Sequence, residues 1–504
     1  MVSSVISATP AGYDAEIIEV EGDTSKGLPT LQIVGMGNKA IDESKERVRS
    51  AIKNSLLEFP TKKITINLAP AEIPKDGTHF DLPIAISILI LSGQLHQNDI
   101  KNSAFVGELS LNGDIRPVRG ILNIVEKMKS CKINNIYIPY DNMAQASLIN
   151  NVSIVGVKSL KDLYLHLKKE VNIKNSTNVV NKTTKVNTLP SMDDVIGQEQ
   201  AKRALIIAIA GHHNILLTGP PGTGKTMLAQ TALGLLPDLT DQEVLEVSKI
   251  YGLTMNTSDI HYDRPFRSPH HTASKISVVG GGPKAVPGEI SLAHLGVLFL
   301  DEMPEYPRSV LESLRQPMED KKITITRVNR TSTYPANFML IATMNPCPCG
   351  YLGDETKDCS CTSTQILNYQ RKISGPLLDR IDMVVTVNRV DNKSLLSHKS
   401  VGRSQQYTIR KQINSSLELQ RKRYNRSDFY NSMVKLPNAK DSLRIQDSAK
   451  CLLDNATAKL DLSARGYLKI LRVARTIADL ESSEYVTTSH ISEALQYRIS
   501  NKIG

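Results

Sequence analysis

The stretch from Asn214 to Gln230, NILLTGPPGTGKTMLAQ, decides the fold of the middle of this 504-residue chain. Its apolar run Ile215–Leu217 is typical of a buried parallel strand, and the residues from Met227 onward suit a helix. Between them, Gly219–Thr226 has the pattern G-x-x-x-x-G-K-[ST]. Such a loop turns backbone N–H groups inward around phosphate oxygens at a helix N-terminus. A glycine-rich turn without a ligand would not need strand, loop and helix in register, so the sequence predicts a nucleotide-binding P-loop.

The chemistry expected of this loop is divided among its residues. Lys225 would reach the β- and γ-phosphates of ATP, and Thr226 would hold the Mg²⁺ that accompanies them. The predicted nucleotide-binding residues of the loop are Gly219, Pro220, Pro221, Gly222, Thr223, Gly224, Lys225 and Thr226.

Two further strand-like runs end in polar residues. Val297–Leu300 leads into Asp301 and Glu302, and Phe338–Thr343 leads to Asn345. Asp301 would organise Mg²⁺ and its water, and Glu302 would polarise the attacking water. A hydrophobic run that ends in Asp-Glu is common by itself, but downstream of a P-loop it predicts the acidic half of an ATP hydrolysis site.

Composition restricts the class of protein. The formal net charge of +10 and a pI near 9.1 suggest a polyanionic partner such as nucleic acid, although many basic proteins bind none. The first residues lack the charged and apolar regions of a signal peptide. The longest apolar run, Leu82–Leu91, is about half of what spans a bilayer. We therefore expect a soluble, cytoplasmic protein without a membrane partner.

Six cysteines in a chain of this length do not form a disulfide scaffold. Four of them fall in two C-x-C pairs, and Zn²⁺ is the metal that four clustered thiolates favour. The sequence predicts a structural zinc site here, with a reduced loop and a redox switch as the alternatives. The other two, Cys131 and Cys451, are expected to be ordinary core residues. The predicted zinc ligands are Cys347, Cys349, Cys359 and Cys361.

The N-terminal third alternates strand-like and helix-like patterns and predicts an α/β domain with its own core. From Lys168 to Pro190, polar sequence without periodicity predicts a flexible linker. The predicted strands are Ala15–Val20, Leu31–Val34, Ile64–Leu68, Val106–Leu111 and Ile136–Ile138, and the predicted helices are Lys39–Asn54 and Leu82–Leu91.

Two motifs of this domain, PKDG at Pro74–Gly77 and GELSLNG at Gly107–Gly113, resemble the proteolytic domain of Lon and the related domain of RadA-type recombination proteins. In Lon they lead to a catalytic serine and a catalytic lysine, and the matching positions here are His79 and Leu122. A serine–lysine pair needs a hydroxyl and an amine within hydrogen-bond reach. The resemblance therefore implies a Lon-like fold without peptidase activity, serving as a platform for assembly or for DNA contact.

Three longer segments extend the resemblance over nearly the whole chain: RPFRSPHHTASKISVVGGG (Arg264–Gly282), PGEISLAHLGVLFLDEMPEY (Pro287–Tyr306) and LRQPMED (Leu314–Asp320). They resemble the magnesium-chelatase branch of AAA+ ATPases. With the Lon-like domain, the chain is identified as a member of the ComM/YifB family, bacterial proteins linked to natural transformation. The resemblance implies a homohexameric ATPase, with ATP between subunits, that acts as a branch-migration helicase on single-stranded and branched DNA.

The same resemblance assigns roles at the nucleotide. Ile196 and Gln198 would pack against the adenine, and Asn345 would be the sensor-1 residue that positions the attacking water. Arg465 would be the sensor-2 arginine, acting in cis or in trans, with Arg472 as the alternative on the same helix.

Arg380 would be the arginine finger that reaches the γ-phosphate of the neighbouring subunit. The alternative is a structural salt bridge with Asp379 or Asp382.

Two insertions suit a motor that grips a polymer. Arg264–Gly288 contains lysines, arginines and histidines but no acid, and Lys321–Arg330 alternates as a hairpin strand does. In the chelatase branch such insertions line the central channel. A basic amphipathic helix within Lys399–Arg426 would also contact DNA or simply face water. The predicted DNA-backbone contacts are Arg267, Lys275, Arg327 and Arg330, with a solvated basic surface as the alternative for each.

The predicted architecture is an α/β AAA+ P-loop module with a helical lid, preceded by a Lon-like α/β domain. The expected domains are residues 1–167, a linker at 168–190, the ATPase core with the cysteine cluster at 191–395, and the lid at 396–504. The lid helices are predicted at 449–460, 464–480 and 489–499. A DNA motor is the preferred function; a magnesium-chelatase motor subunit and a protein-remodelling AAA+ ATPase are the alternatives.

Overall fold

The computed structural model of the protein describes residues 2–35, 39–75, 77–173, 190–254, 259–282, 285–327, 330–354, 356–389, 404–435 and 442–498. Most of the predicted linker, and the predicted boundary between residues 395 and 396, lie outside these ranges. Within them, no helix is both long and apolar enough to cross a membrane.

The N-terminal part is a mixed α/β fold. Its strands are β1 (Val2–Ala11), β2 (Asp14–Ser25), β3 (Leu31–Val34), β4 (Lys63–Ala69), β5 (Ser103–Phe105), β6 (Glu108–Leu109), β7 (Ile115–Arg116), β8 (Asn135–Pro139) and β9 (Ser153–Val157). Its helices are α1 (Lys39–Asn54), α2 (Asp81–Leu91), α3 (Ile121–Ser130), α4 (Met143–Ala146) and α5 (Leu160–Leu167). Seven strands form one sheet in the order β3-β4-β2-β1-β5-β8-β9, and every residue of α2 is buried.

All but one of the predicted elements of this part are confirmed, and several elements, among them β1, β9, α3 and α5, were not predicted. The predicted strand Val106–Leu111 is wrong: β5 ends at Phe105, and β6 pairs with β7 in a separate small hairpin. Strand β1 was not predicted at all. Its alternating buried face includes Ser3, Ser7 and Thr9, and Ser3 is 2.8 Å from Ser87 of α2, hydroxyl to hydroxyl. Because the buried residues of β1 are largely small and polar, the apolar alternation that predicts a strand is weak.

The middle part contains a five-stranded, wholly parallel sheet. Its strands are β10 (Ile215–Thr218), β11 (Phe266–Arg267), β14 (Val297–Leu300), β17 (Met339–Met344) and β18 (Met383–Thr386), and smaller ribbons are β12 (Gly280–Gly281) with β13 (Val286–Pro287) and β15 (Lys322–Arg327) with β16 (Arg330–Pro335). The sheet order is β11-β14-β17-β10-β18, so the P-loop strand β10 lies between β17 and β18. In such a sheet the carboxyl ends of all strands meet along one edge, where ligands bind.

Helices cover this sheet and form the C-terminal part. They are α6 (Glu199–Gly211), α7 (Lys225–Leu235), α8 (Asp241–Thr254), α9 (Lys275–Val279), α10 (Glu289–Leu292), α11 (Arg308–Ser313), α12 (Arg315–Asp320), α13 (Ser363–Gln370) and α14 (Gly375–Leu378), followed by α15 (Ser404–Tyr424), α16 (Asp447–Leu460), α17 (Ala464–Leu480) and α18 (Thr488–Gln496). The last four helices pack with α6 and α7 in one apolar core. On α15 the predicted apolar stripe Ile409, Ile413 and Leu417 is buried.

The N-terminal part rests on helix α8 of the middle part. Lys249 on α8 makes an ion pair with Glu126 on α3 at 2.5 Å, and its ammonium lies 4.0 Å from the ring centre of Tyr13. The N–H of Gly120 donates to the carbonyl of Gly252 at 2.9 Å. These contacts join the two parts through α3 and α8.

Candidate nucleotide site

The P-loop connects β10 to α7 and has the backbone of a phosphate cradle. Gly222 and Gly224 have φ angles of 77° and 81°, in the left-handed region that favours glycine. The ammonium of Lys225 donates to the carbonyls of Gly219 (2.7 Å) and Pro220 (2.8 Å). Burial lowers the pKa of Lys225, while the charges of Asp301 and Glu302 act in the opposite direction. The lysine thus lies inside the loop, where its predicted partners are the phosphate oxygens of a nucleotide.

The predicted acidic half of the site lies beside the loop. Asp301 follows β14 directly, and its Oδ2 accepts a hydrogen bond from Thr226 Oγ1 at 3.1 Å. These two groups are the predicted Mg²⁺ ligands, and an oxygen pair of this kind is what Mg²⁺ prefers. Glu302, the next residue, has a φ of 51°, in the left-handed region. The sequence-predicted triad of Lys225, Thr226 and Asp301 is therefore brought together.

Thr343 of β17 joins the two acids and was missed by sequence analysis. Its hydroxyl donates to Asp301 Oδ1 at 2.5 Å and accepts from the backbone N–H of Glu302 at 2.9 Å. The side chain is fully buried. The available signal was a threonine in the otherwise apolar run of β17, two residues before Asn345.

Asn345 lies at the carboxyl end of β17, opposite the P-loop lysine. Its Oδ1 is 3.3 Å from Lys225 Nζ, so the amide, the lysine and the two acids surround one space. Gln370 donates to the carbonyl of Pro346 at 3.2 Å, and helix α13 thereby supports the segment that follows.

The cysteine loop, residues 347–361, begins at this point. Its four sulfur atoms all lie within 4.8 Å of one another, and the Sγ distances from Cys349 to Cys347 and Cys359 are 3.3 and 3.5 Å. A tetrahedral zinc site with Zn–S bonds of about 2.3 Å has edges of roughly 3.8 Å. A backbone hydrogen bond from Tyr351 is the main cause that lowers the pKa of Cys349 to about 6. The four thiols are therefore compatible with one zinc ion, in the arrangement that the sequence predicts.

The cysteine loop also touches the phosphate loop. Gly350 has a φ of 85°, and a Cβ placed on it would lie 2.7 Å from Cδ of Pro221. Glycine is required there both by its backbone conformation and by this close approach.

Of the two predicted adenine-side residues, Gln198 borders an open cleft and Ile196 is not among the residues that line it. Gln198 donates to the carbonyl of Asn388 at 2.5 Å and is 3.5 Å from the carbonyl of Thr223 in the P-loop. Ile196 is half-buried beside it. We call this space the base cleft; it is lined by Gly197, Gln198, Glu199, Gln200, Ala201, Thr386, Asn388 and Arg389.

Arg380 lies at the opposite edge of the sheet. It precedes β18, and its carbonyl accepts from the side chain of Asn214, the residue before β10. Strands of four residues are about 13 Å long, so this edge is at least that far from the strand ends that carry the P-loop. The guanidinium forms an ion pair with Glu319. The alternative role predicted from sequence, a salt bridge with Asp379 or Asp382, is therefore wrong in its partner.

Arg465, the predicted sensor-2 arginine, lies at the same edge as Arg380. Its Nη2 is 3.6 Å from Glu319, the partner of Arg380, and it is more than half exposed. Arg472 instead points inward and donates to the carbonyl of Val434 at 2.7 Å. Burial lowers the pKa of Arg472. Of the two arginines proposed for this role, Arg465 is the one that is accessible.

The predicted DNA contacts fall into three groups. Arg267 makes a two-pronged ion pair with Glu289 at 2.6 and 2.7 Å. Lys275 is exposed at the first turn of α9. Arg327 and Arg330 pair across the β15–β16 hairpin, which confirms the predicted hairpin; their side chains are outside the described part. Although the segment Arg264–Gly288 has no acid of its own, acids from outside it pair with two of its arginines, Glu243 with Arg264 and Glu289 with Arg267.

Two smaller expectations are settled by burial. Cys131 and Cys451 are exposed and not core residues, since they lie at the end of α3 and on the outer face of α16. In the Lon-like part, His79 packs against Phe80, and Leu122 is buried in a separate apolar cluster. These two positions carry no serine–lysine pair.

The parallel sheet, P-loop, acids and strand-end asparagine define an AAA+ ATPase, which implies ATP and Mg²⁺ as its cofactors. Family models for the magnesium chelatase subunit ChlI match residues 191–395 and 20–142, and the model for its C-terminal part matches 403–498. The chain is 40% identical to the competence protein ComM of Haemophilus influenzae over 98% of its own length and 97% of that protein. It is 41% identical to the uncharacterized protein YifB of Escherichia coli, covering 100% and 98%. Lon protease 2 of Bacillus subtilis matches 27% of the chain and 26% of its own length at 29% identity.

The protein therefore belongs to the ComM/YifB family of magnesium-chelatase-like AAA+ ATPases, and its N-terminal region has Lon-like similarity.

We predict that Glu302→Gln lowers ATP turnover by about 10²- to 10⁴-fold while Mg²⁺-ATP binding is retained, because the variant keeps the shape of the site but loses the base.

Thr343→Val removes both hydrogen bonds that hold the acids and should lower ATP turnover by at least roughly tenfold, again with Mg²⁺-ATP binding retained. Steady-state ATPase rates and calorimetric binding of a slowly hydrolysed ATP analogue measure the two effects. The matched control is Thr457→Val, which alters a hydroxyl within α16; equal rates for Thr343→Val and this control would contradict the role of Thr343.

Proposed function

We propose that this protein is a ring-forming, ATP-driven DNA motor, a branch-migration helicase that acts on single-stranded and branched DNA in recombination and natural transformation. The observation that carries the proposal is the end-to-end match to a relative named as a competence protein, in a chain that brings Thr226 against Asp301 and Lys225 against Asn345. The Lon-like part has lost both residues of the peptidase pair, which supports a role other than proteolysis. Such a motor works on DNA in the cytoplasm.

The placement of the arginines supports the ring. Arg380 and Arg465 lie at the sheet edge opposite to their own P-loop, about the length of a strand away from it. In a homohexamer this edge meets the nucleotide of the next subunit, where two arginines stabilise the charge of the transferring phosphate. The ion pairs of Arg380 and Arg465 with Glu319 would then break when the neighbouring subunit binds.

The surface features that support DNA binding are Lys275 on α9 and the β15–β16 hairpin with Arg327 and Arg330. They belong to the two insertions, which would face the channel of a ring. Arg267 contributes less to this proposal because Glu289 neutralises it. Lysines and arginines at such positions attract phosphates irrespective of base sequence.

The proposed metal of the cysteine loop is a structural Zn²⁺ bound by Cys347, Cys349, Cys359 and Cys361. The loop has few apolar residues of its own, and a bound ion would supply its folding energy. Because the loop begins at the residue after Pro346, it would also hold Asn345 in place.

The trans role of Arg380 predicts complementation in mixed rings. Arg380→Ala and Glu302→Gln proteins should each be nearly inactive, and their mixture should hydrolyse ATP clearly faster than either alone. In a mixed ring an intact Glu302 on one subunit meets an intact Arg380 on its neighbour. Steady-state ATPase rates across a series of mixing ratios measure this. Mixing Arg380→Ala with a protein that carries both changes is the control and should restore nothing; an inactive first mixture would point to action in cis.

The DNA-motor proposal predicts that single-stranded and branched DNA stimulate ATP hydrolysis, and that added salt removes the stimulation because phosphate contacts release counterions. Replacing both Arg327 and Arg330 with alanine should weaken the stimulation about tenfold without changing the basal rate. Arg444→Ala, which removes an exposed arginine of the C-terminal part, is the matched control. ATPase rates across a salt series, with and without each DNA, are the measurement.

A basal ATPase rate that no DNA changes would refute the DNA motor. Stimulation by an unfolded protein would then support the protein-remodelling alternative. Insertion of Mg²⁺ into a porphyrin, together with partner subunits, would support the chelatase alternative that the matching family models suggest.

The zinc proposal predicts one zinc ion per chain in protein purified without chelator, as measured by elemental mass spectrometry. Cys359→Ser should lose most of this metal because a site with three thiolates binds zinc far more weakly. The controls are Cys131→Ser and Cys451→Ser, which remove the two exposed cysteines outside the loop and should retain the full amount. Freshly reduced, unmodified protein without zinc would contradict the proposal.

A further inference from the structure

One arginine joins the cysteine loop to the base cleft. Arg389 follows β18 and lines the cleft together with Gln198 and Asn388. Its Nε lies 3.1 Å from Oδ2 of Asp354, and its Nη1 donates to Oγ1 of Thr356 at 2.9 Å. Both partners belong to the cysteine loop, so that loop fixes the position of the guanidinium.

The same guanidinium is also held by an aromatic ring. Its central carbon lies 5.7 Å from the ring centre of Tyr351, again a residue of the cysteine loop. Asp354 itself is held firmly: its side chain is 1% exposed, and the N–H and hydroxyl of Thr356 both donate to its Oδ1, at 2.8 and 2.7 Å. An arginine with three such neighbours loses little conformational freedom when a ligand arrives, which is the condition for an effective binding residue.

The position of the cleft points to the base of the nucleotide. Gln198 links the cleft to Thr223 of the P-loop, and Val387, between the cleft residues Thr386 and Asn388, lies against Gly219. A nucleotide with its phosphates in the P-loop therefore has the cleft beside it. The guanidinium of arginine is planar, delocalised and weakly hydrated, and it stacks on aromatic planes. A purine offers such a plane.

We propose that Arg389 contacts the purine base of the bound nucleotide through the plane of its guanidinium, and that Asp354 is the residue of the cysteine loop that positions it. The cysteine loop is thereby part of the nucleotide site on two sides, at Pro221 next to the phosphates and at Arg389 next to the base. The inference rests on the proposed function only in requiring that ATP binds at the P-loop; it does not depend on DNA.

The experiment compares two ligands that share their phosphates. Calorimetric affinities of the full chain are measured for a slowly hydrolysed ATP analogue and for inorganic tripolyphosphate, both with Mg²⁺. Arg389→Ala should weaken binding of the nucleotide analogue by roughly 3- to 30-fold, the range expected for a stacked cation. The affinity for tripolyphosphate should not change. Arg389→Lys should behave like the alanine variant, because an ammonium keeps the charge and lacks the plane. Arg371→Ala, at an exposed arginine that ends α13, is the control and should change neither affinity.

The role of Asp354 is tested by Asp354→Asn beside Asp358→Asn, an exposed aspartate of the same loop. Asp354→Asn should weaken binding of the nucleotide analogue and leave the affinity for tripolyphosphate unchanged. Combined with Arg389→Ala it should cause no further loss of affinity, because both changes remove the same interaction. Losses that multiply would show that Asp354 acts independently of Arg389 and would overturn its positioning role.

The remaining outcomes are distinct. Equal nucleotide affinities of Arg389→Ala and the unmodified protein overturn the base contact. Equal losses for nucleotide and tripolyphosphate, or full affinity of Arg389→Lys, assign the effect to phosphate charge and overturn it as well. If the unmodified protein binds no nucleotide, or if Lys225→Ala binds as well as the unmodified protein, the proposed ATPase function itself fails.

Discussion

The hydrolysis site depends on one carboxylate that receives hydrogen bonds from two directions. Asp301 accepts from Thr226, at the start of the helix that follows β10, and from Thr343 in β17. The three groups come from three neighbouring strands or their ends, and they meet because parallel strands place all their carboxyl ends at one edge. The order β14-β17-β10 puts the two acids, the asparagine and the lysine around the same space. Without that order the motifs would be no more than common sequence patterns.

The opposite edge of the sheet has a different chemistry. Asn214 ties the start of β10 to both neighbouring strands: it donates to the Arg380 carbonyl before β18 and accepts from the Leu340 N–H in β17. Lys469 of α17 adds a hydrogen bond to the carbonyl of Ile381 at 2.9 Å. The C-terminal helices therefore fix Arg380 and Arg465 on a surface that faces away from their own P-loop. In the proposed ring, this surface would supply the arginines that balance the developing phosphate charge at the nucleotide of the next copy.

The cysteine loop connects features that sequence analysis treated separately. From the sequence, the loop is predicted to hold a zinc ion, and Asn345, which precedes it, is separately predicted to be the sensor-1 residue. Its glycine contacts Pro221 and its aspartate holds Arg389, so it packs against the phosphate loop and the base cleft at once. Glycines and acids within a polar loop give no sequence signal for such contacts, since each partner is more than thirty residues away along the chain.

The sequence by itself determined the fold class, the P-loop, the acids after β14, the strand-end asparagine and the cysteine cluster, because each depends on residues that are adjacent or closely spaced. Tertiary structure alone decided which charges are neutralised, as for Arg264 and Arg267, whose acids lie outside their segment. It also decided the exposure of Cys131 and Cys451, the strand β1 with its small polar face, and the contacts of Thr343. The physical reason is the same in each case: ion pairing and burial depend on distance in space, and the partners are set by how the strands and helices pack.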